Sequence, residues 1–210
     1  LKKLQENFPD KYKEFWNEYG LVLKEGPAED FENKELISSL MMFNSSNLNS
    51  VDEALSLDEY IKNMKSDQEE IFFCVADTYE AAINSPHIEK LKSNGIEVLL
   101  LTDRIDEWLM TNIYEYKGKQ LVNVAKEEVS KESETSEVND KDKDIIEKIM
   151  KHLSNRVSDV VVSKRLIDSA SCLILPQSEP GAQLRKILEA SGQDFGESKP
   201  IFEVNMKHKL

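Results

Sequence analysis

Apolar side chains recur along this chain with several different periods, and the changes of period mark its architecture. Pro9 opens a stretch in which Tyr12, Phe15, Trp16 and Tyr19 fall at i, i+3, i+4 and i+7. That spacing predicts one aromatic face of an amphipathic helix, with Gly20 as its stop. By default such a stripe belongs in a core. The turn pair Gly26-Pro27 follows, and then Leu36, Ile37, Leu40 and Met41 give a second helical face with Asn33 as its cap. Residues 44–50 are polar and read as loop. Ser56 and Glu59 form the pattern S-x-x-E, a capping box, ahead of a helix carrying Tyr60, Ile61 and Met64.

In the middle of the chain the pattern becomes continuous. Ile71-Phe72-Phe73-Cys74-Val75-Ala76 and Ile96-Glu97-Val98-Leu99-Leu100-Leu101 are apolar on consecutive residues. Between them lies a helical stretch, with Pro86 at a start and Gly95 at an end. Strand, helix and strand of this kind predict a βαβ unit in a parallel sheet covered on both faces. A short helix over 105–113, a polar turn at Lys117-Gly118-Lys119 and a strand over 121–124 complete a first domain. Residues 126–144 then carry eight acids and four lysines with almost no apolar side chain, which marks a solvated linker or ragged helix at a domain boundary. Beyond it, Ile145, Ile146, Ile149, Met150 and Leu153 predict a helix, and 157–162 and 171–175 predict strands. Glu179-Pro180 opens a helix with Leu184, Ile187 and Leu188 on one face and Gly192 at its end, and a strand starts at Pro200. The fold class is α/β, α+β overall: a small αβα sandwich, a linker and a smaller α+β domain.

Composition narrows the function. The chain has 210 residues, 40 acidic and 27 basic, and a formal charge of −13. That excess of acid opposes broad binding to a phosphate backbone, so nucleic acid is an unexpected partner. No apolar run is long enough for a membrane helix, so no membrane is expected either. Cys74 and Cys172 sit in apolar runs and read as buried small hydrophobes of a reducing compartment. His87, His152 and His208 are too scattered for a metal site. The chain starts at Leu1 with no Met, so a piece of a longer protein is expected.

Three features carry candidate chemistry. Asp77 and Asp103 each end a predicted parallel strand, where open α/β sheets bind ligands. A carboxylate pair there would suit Mg²⁺ or phosphoryl transfer, and a small Mg-dependent phosphatase or phosphoryl-transfer enzyme is the alternative function. The plainer reading is that both acids cap helices. No glycine-rich phosphate loop and no serine–histidine pair accompanies them. Trp108, set among acids in Asp103-Arg104-Ile105-Asp106-Glu107-Trp108, is either a half-exposed binding residue or packed on its own sheet. The stripe of Leu184, Ile187 and Leu188 is either core or an open face.

Three segments resemble one family closely: residues 15–26, FWNEYGLVLKEG; residues 95–108, GIEVLLLTDRIDEW; and residues 71–86, with Ala76-Asp77 and Ser85-Pro86-His87. They are similar to the heat-shock protein 90 chaperones, most of all the bacterial branch, the HtpG type. The likeness runs through Arg156-Val157, Arg165-Leu166 and Gly192-Gln193. It implies an ATP-dependent, homodimeric, cytoplasmic chaperone of the stress response, which binds partly folded client proteins. Residues 1–125 would be the later middle domain (a helical connector over 1–30 and a small αβα subdomain over 31–125). Residues 126–144 would be the linker, and 145–210 the start of the C-terminal dimerisation domain. ATP and Mg²⁺ would then serve the full-length protein, with the nucleotide pocket and the arginine that reaches the γ-phosphate upstream of Leu1. No catalytic, cofactor-binding or metal-binding residue is expected in these 210. The family's client-contact surface falls on Glu107 and Trp108 and on the helix with Leu184, Ile187 and Leu188. That helix departs from the bacterial pattern, because aliphatic side chains stand where Met and Phe are common, and the adaptability of methionine is lost.

Overall fold

The computed structural model describes residues 1–126, 140–177, 179–193 and 199–209. In chain order the elements begin with α1 (Lys2–Asn7), α2 (Pro9–Leu23), α3 (Gly26–Glu29), α4 (Lys34–Ser38), β1 (Met42–Ser45) and β2 (Leu55–Ser56). Next come α5 (Leu57–Asn63), β3 (Ile71–Val75), α6 (Tyr79–Ile83), a 3₁₀ turn (Pro86–Ile88) and α7 (Glu89–Ser93). They are followed by β4 (Leu99–Leu101), α8 (Asp106–Asn112), β5 (Glu115–Tyr116) and β6 (Lys119–Asn123). The last are α9 (Asp140–Leu153), β7 (Asp159–Val162), β8 (Ser171–Ile174), α10 (Ala182–Ala190) and β9 (Ile201–Val204). The chain divides into two compact α+β units: Leu1–Asn84 with Asn94–Asn123, and Ser85–Ser93 with Val124–Leu210.

The first unit is built on a six-stranded mixed sheet in the order β2-β1-β4-β3-β6-β5. β3 pairs parallel with β4, Cys74 opposite Leu100, as the two continuous apolar runs require. Leu99, Leu100 and Leu101 are all buried, so both faces of β4 are covered. Met41, Phe43, Tyr60, Ile71, Phe73, Leu109 and Tyr116 close the core around them. The capping box forms as expected: Glu59 Oε2 accepts the Ser56 N–H at 2.7 Å, and Ser56 Oγ accepts that of Glu59 at 3.3 Å. The turn at Lys117 and Gly118 has φ of 50° and 77°, the two positive values of the tight hairpin joining β5 to β6.

Several expectations need correction. α2 does not stop at Gly20 but runs to Leu23. Gly20 is buried beneath the indole of Trp16, and a Cβ there would stand 2.9 Å from Trp16 Cδ2. Its smallness lets the ring lie flat on the helix. Only part of the aromatic stripe is core, because Tyr12 is buried while Tyr19 is 57% exposed. Residues 42–45 form strand β1 instead of continuing a helix into loop. Ser45 is buried and donates to Glu97, and just past the strand Ser46 Oγ accepts the Val98 N–H at 2.9 Å. Asn33 precedes α4 without capping it and instead donates to Asp30 at 2.8 Å. The crossover between β3 and β4 is two short helices and a 3₁₀ turn, not one helix.

The second unit carries a three-stranded sheet, β7-β9-β8, with β7 parallel and β8 antiparallel to β9. α9 begins at Asp140, inside the stretch expected to be linker; residues 127–139 of that stretch lie outside the described residues. α10 begins at Ala182 with Gly181 as N-cap, so Pro180 does not open it, and Gly192 with φ 88° ends it. Residues 85–93 pack in this unit. Glu89 Oε2 accepts the backbone N–H groups of Ile167 at 2.6 Å and Asp168 at 3.0 Å, and the Ser169 hydroxyl donates to Oε1. Burial alone would raise the Glu89 pKa, but the hydroxyl and the backbone donors outweigh it and hold it below the ordinary carboxylate value.

Behind this contact Arg165 Nε pairs with Glu203 Oε2 at 2.7 Å, and the Cys172 thiol donates to the same oxygen at 3.1 Å. Cys172 is therefore only partly buried and polar in its contacts, unlike the apolar residue expected. Burial and the Glu203 carboxylate push its pKa up to about 12, so the thiol stays protonated. His87 lies close by with a buried, unpartnered Nδ1, and burial first, then the Arg165 charge, lower its pKa from 6.5 to about 4. Between those values the unfolded chain takes up a proton that the folded chain refuses. The stability due to neutral His87 is thus complete above pH 6.5 and lost as pH falls toward 4, about 3 kcal/mol across the window. Urea unfolding at pH 7 and pH 5 checks this: His87→Gln flattens the pH dependence, and an equal slope in both proteins contradicts it.

Candidate functional site

α8 follows the carboxyl end of β4 after one tight turn. The Asp106 N–H donates to the Asp103 carbonyl at 2.9 Å, and the Asp103 N–H donates to Asp106 Oδ2 at 2.9 Å. Lys24, from the end of α2, is 3% exposed and reaches Asp103 Oδ2 and Asp106 Oδ1, each at 2.6 Å. Its ammonium also stands 5.4 Å from the Phe43 ring centre and 5.9 Å from that of Trp16. Asp106 is 1% exposed, and burial raises its pKa although Lys24 pulls the other way. This triad fixes where α8 starts. It was not singled out from the sequence, because Lys24 and Asp106 are 82 residues apart.

With α8 fixed, Leu109, Met110 and Ile113 turn into the core while Trp108 is half-buried and outside that cluster. The Trp108 carbonyl accepts Thr111 Oγ1 at 2.7 Å and Asn112 Nδ2 at 3.0 Å, which binds down the end of the helix. Glu107 is 5% exposed. The acid half of the expected contact pair therefore faces inward, and only the tryptophan half presents area to solvent. Sequence reasoning also passed over Phe31 and Tyr114, both strongly exposed, with Lys34 Nζ 5.5 Å and 4.6 Å from their ring centres.

In the second unit, α10 places Leu184 and Leu188 half-buried and Ile187 36% exposed, while Ala182, Lys186, Glu189 and Ala190 are exposed. Arg185 pairs with Glu179 at 3.0 Å, across the start of the helix. The stripe is thus neither fully core nor fully open.

The two strand-end acids do not form a reaction centre. The parallel register sets Val75 opposite Leu101, so Asp77 and Asp103 follow their strands at the same level. Asp77 is exposed, however, and Asp103 is committed to Lys24. Neither is a helix cap: Thr78 caps α6 through its hydroxyl, which accepts the Ala81 N–H at 3.1 Å, and α8 starts from Ile105 without a side-chain cap. Among the described residues no group of three or more His, Cys, Asp or Glu is placed to hold a metal ion. The Mg-dependent enzyme reading has no support here. Nor is there, among them, a helix long and apolar enough to cross a membrane.

These features define a chain of two α+β units with apolar side chains partly exposed on short, well-anchored helices. It belongs to the Hsp90 family: the model of that family, described as Hsp90 protein, matches residues 1–210. The chaperone protein HtpG of Legionella pneumophila (strain Lens) is 43% identical over 215 residues, covering 100% of this chain and 34% of the relative. That of Shewanella frigidimarina is 44% identical over 218 residues, with the same coverage. The chain thus spans about a third of the length of the curated relatives it matches.

Proposed function

We propose that these residues are the client-holding stretch of an ATP-dependent, homodimeric, cytoplasmic chaperone. In this reading residues 1–125 serve as later middle domain, 126–144 as linker, and 145–210 as the beginning of a dimerisation domain. Partly folded proteins are held by many weak apolar contacts, through Trp108 in one unit and through Leu184, Ile187 and Leu188 in the other. Glu107, buried on α8 itself, acts by helping to hold that helix in place. In this reading ATP and Mg²⁺ are handled by the rest of the full-length protein, and no catalytic step is assigned to these residues. The observation that carries the reading is that, in a chain of this family, Ile187 and Trp108 are presented on anchored helices without being absorbed into a core.

The test is binding of a permanently unfolded, carboxymethylated reporter protein. Ile187→Asp puts a charge on a position already open to solvent, and Trp108→Arg replaces the indole. Each is expected to weaken binding roughly 5–30-fold, as loss of an apolar anchor does, with little change in the urea midpoint for Ile187→Asp. Unchanged binding in both folded variants would overturn the proposal.

A further inference from the structure

A groove of about 1150 Å³ runs across the first unit, between α1–α2 and the segment 48–54. Its apolar lining includes Trp16, Met42, Phe43, Leu48 and Val51. The wall at 48–54 is already set: the Asn44 side chain donates to the carbonyls of Val51 at 2.8 Å and Glu53 at 2.6 Å, and Glu53 Oε2 accepts the Asn49 N–H at 3.0 Å. Eight carboxylates line the groove against three lysines. Two of those lysines are already spent, Lys2 on Asp58 and Lys24 on Asp103 and Asp106. Among the described residues the side chains of Glu6, Asp10 and Asp52 enter no ion pair or hydrogen bond, and all three are exposed. The third, Lys13, is exposed among them, so the groove offers an apolar floor beneath a rim where three exposed carboxylates outnumber one exposed lysine.

We infer that this groove docks an extended segment of polypeptide in which basic and apolar side chains alternate. The inference rests on the chaperone reading and assigns it a second contact surface with its own chemistry. An open trough larger than the usual ~300–1000 Å³ small-molecule cleft suits a chain better than a metabolite. An extended segment turns alternate side chains to opposite sides, so its apolar residues face Trp16 and Met42 while its lysines or arginines meet Glu6, Asp10 and Asp52. Negative potential rejects nucleic acid and acidic peptides from the same place.

The probe is a labelled peptide of about ten alternating lysine and leucine residues, roughly 30 Å when extended. Fluorescence anisotropy should show it binding the 210-residue chain, while its glutamate–leucine counterpart does not bind. The triple reversal Glu6→Lys, Asp10→Lys, Asp52→Lys touches only exposed side chains and is expected to weaken binding at least ten-fold. Raising salt from about 0.05 to about 0.5 M should weaken it several-fold. Amide NMR on the unmodified chain gives a reading that needs no variant: shifts should gather at Asn17, Asn44 and Ala54. Affinity unaltered by the triple reversal, or shifts confined to Trp108 and α10, overturns the groove and leaves the client-binding reading standing. A chain that holds the unfolded reporter but not this peptide also overturns the groove alone. Binding of neither removes both.

Discussion

Lys24→Ala is expected to destabilise the first unit by about 3–5 kcal/mol, the usual cost of stripping the partner from a buried charge. Lys24 is the cation between Asp103 and Asp106, and Asp106 has almost no solvent to turn to. Alanine leaves the Asp106 carboxylate buried and uncompensated, and also removes the ammonium from the faces of Trp16 and Phe43. The pH dependence has a definite sign. A buried acid with a raised pKa binds more protons folded than unfolded, so the variant loses stability as pH rises above 3.8, the ordinary aspartate value. The deficit is then larger at pH 7 than at pH 4, and Asp106→Asn in the same background should recover part of it at pH 7. Urea unfolding at both pH values checks this. A deficit that does not change with pH means that Lys24 acts through packing alone. Because the triad sets the start of α8, the same variant should also loosen Trp108, visible as faster hydrogen exchange of the Trp108 amide in the folded state.

Arg165→Ala is expected to cost the second unit a similar 3–5 kcal/mol. Glu203 is buried, and without Arg165 its remaining polar partner among the described residues is the Cys172 thiol. Arg165 also donates to the Val124 carbonyl at 2.5 Å, which is orphaned with it. Removing the guanidinium takes away a charge that depresses His87, while burial of the ring remains. The His87 pKa should therefore rise from about 4 but stay below 6.5, measured from its ring-proton shifts. A His87 that titrates as before would show that Arg165 is not its electrostatic neighbour. Cys172→Ser keeps a donor toward Glu203 and should cost far less.

How much of this was legible in the sequence depended on whether a signal was local. The paired apolar runs, the S-x-x-E box and the Lys117-Gly118 turn are each written within a few residues, and each formed where expected. β1 was hidden because Asn44 and Ser45 look like loop until β4 pairs with them, Asn44 opposite Leu100 and Ser45 opposite Leu99, and Glu97 accepts the Ser45 hydroxyl. Gly20 looked like a stop because its neighbour Trp16 was not known to lie over it. The site was half legible. The motif around Trp108 named a turn of chain whose tryptophan is half-buried, but burial of Glu107 depends on how α8 is set, and Lys24 from a distant helix holds its start. The groove left no trace in any single window, since its rim draws on Glu6, Asp10 and Asp52 from separate elements.

One consequence concerns how the molecule can be divided. The chain leaves the first unit after Asn84, returns at Asn94 and leaves again after Asn123. Ile88, 1% exposed, and Glu89 with its ring of donors are thus foundations of the second unit, threaded through the crossover of the first. Neither unit is a contiguous stretch of sequence. Excising residues 124–210 would leave that sheet without Glu89, and ending a shortened chain at Asn123 would strand Ile88 in water. A cut at the acidic stretch would therefore part Ile88 and Glu89 from the residues they pack with in the second unit.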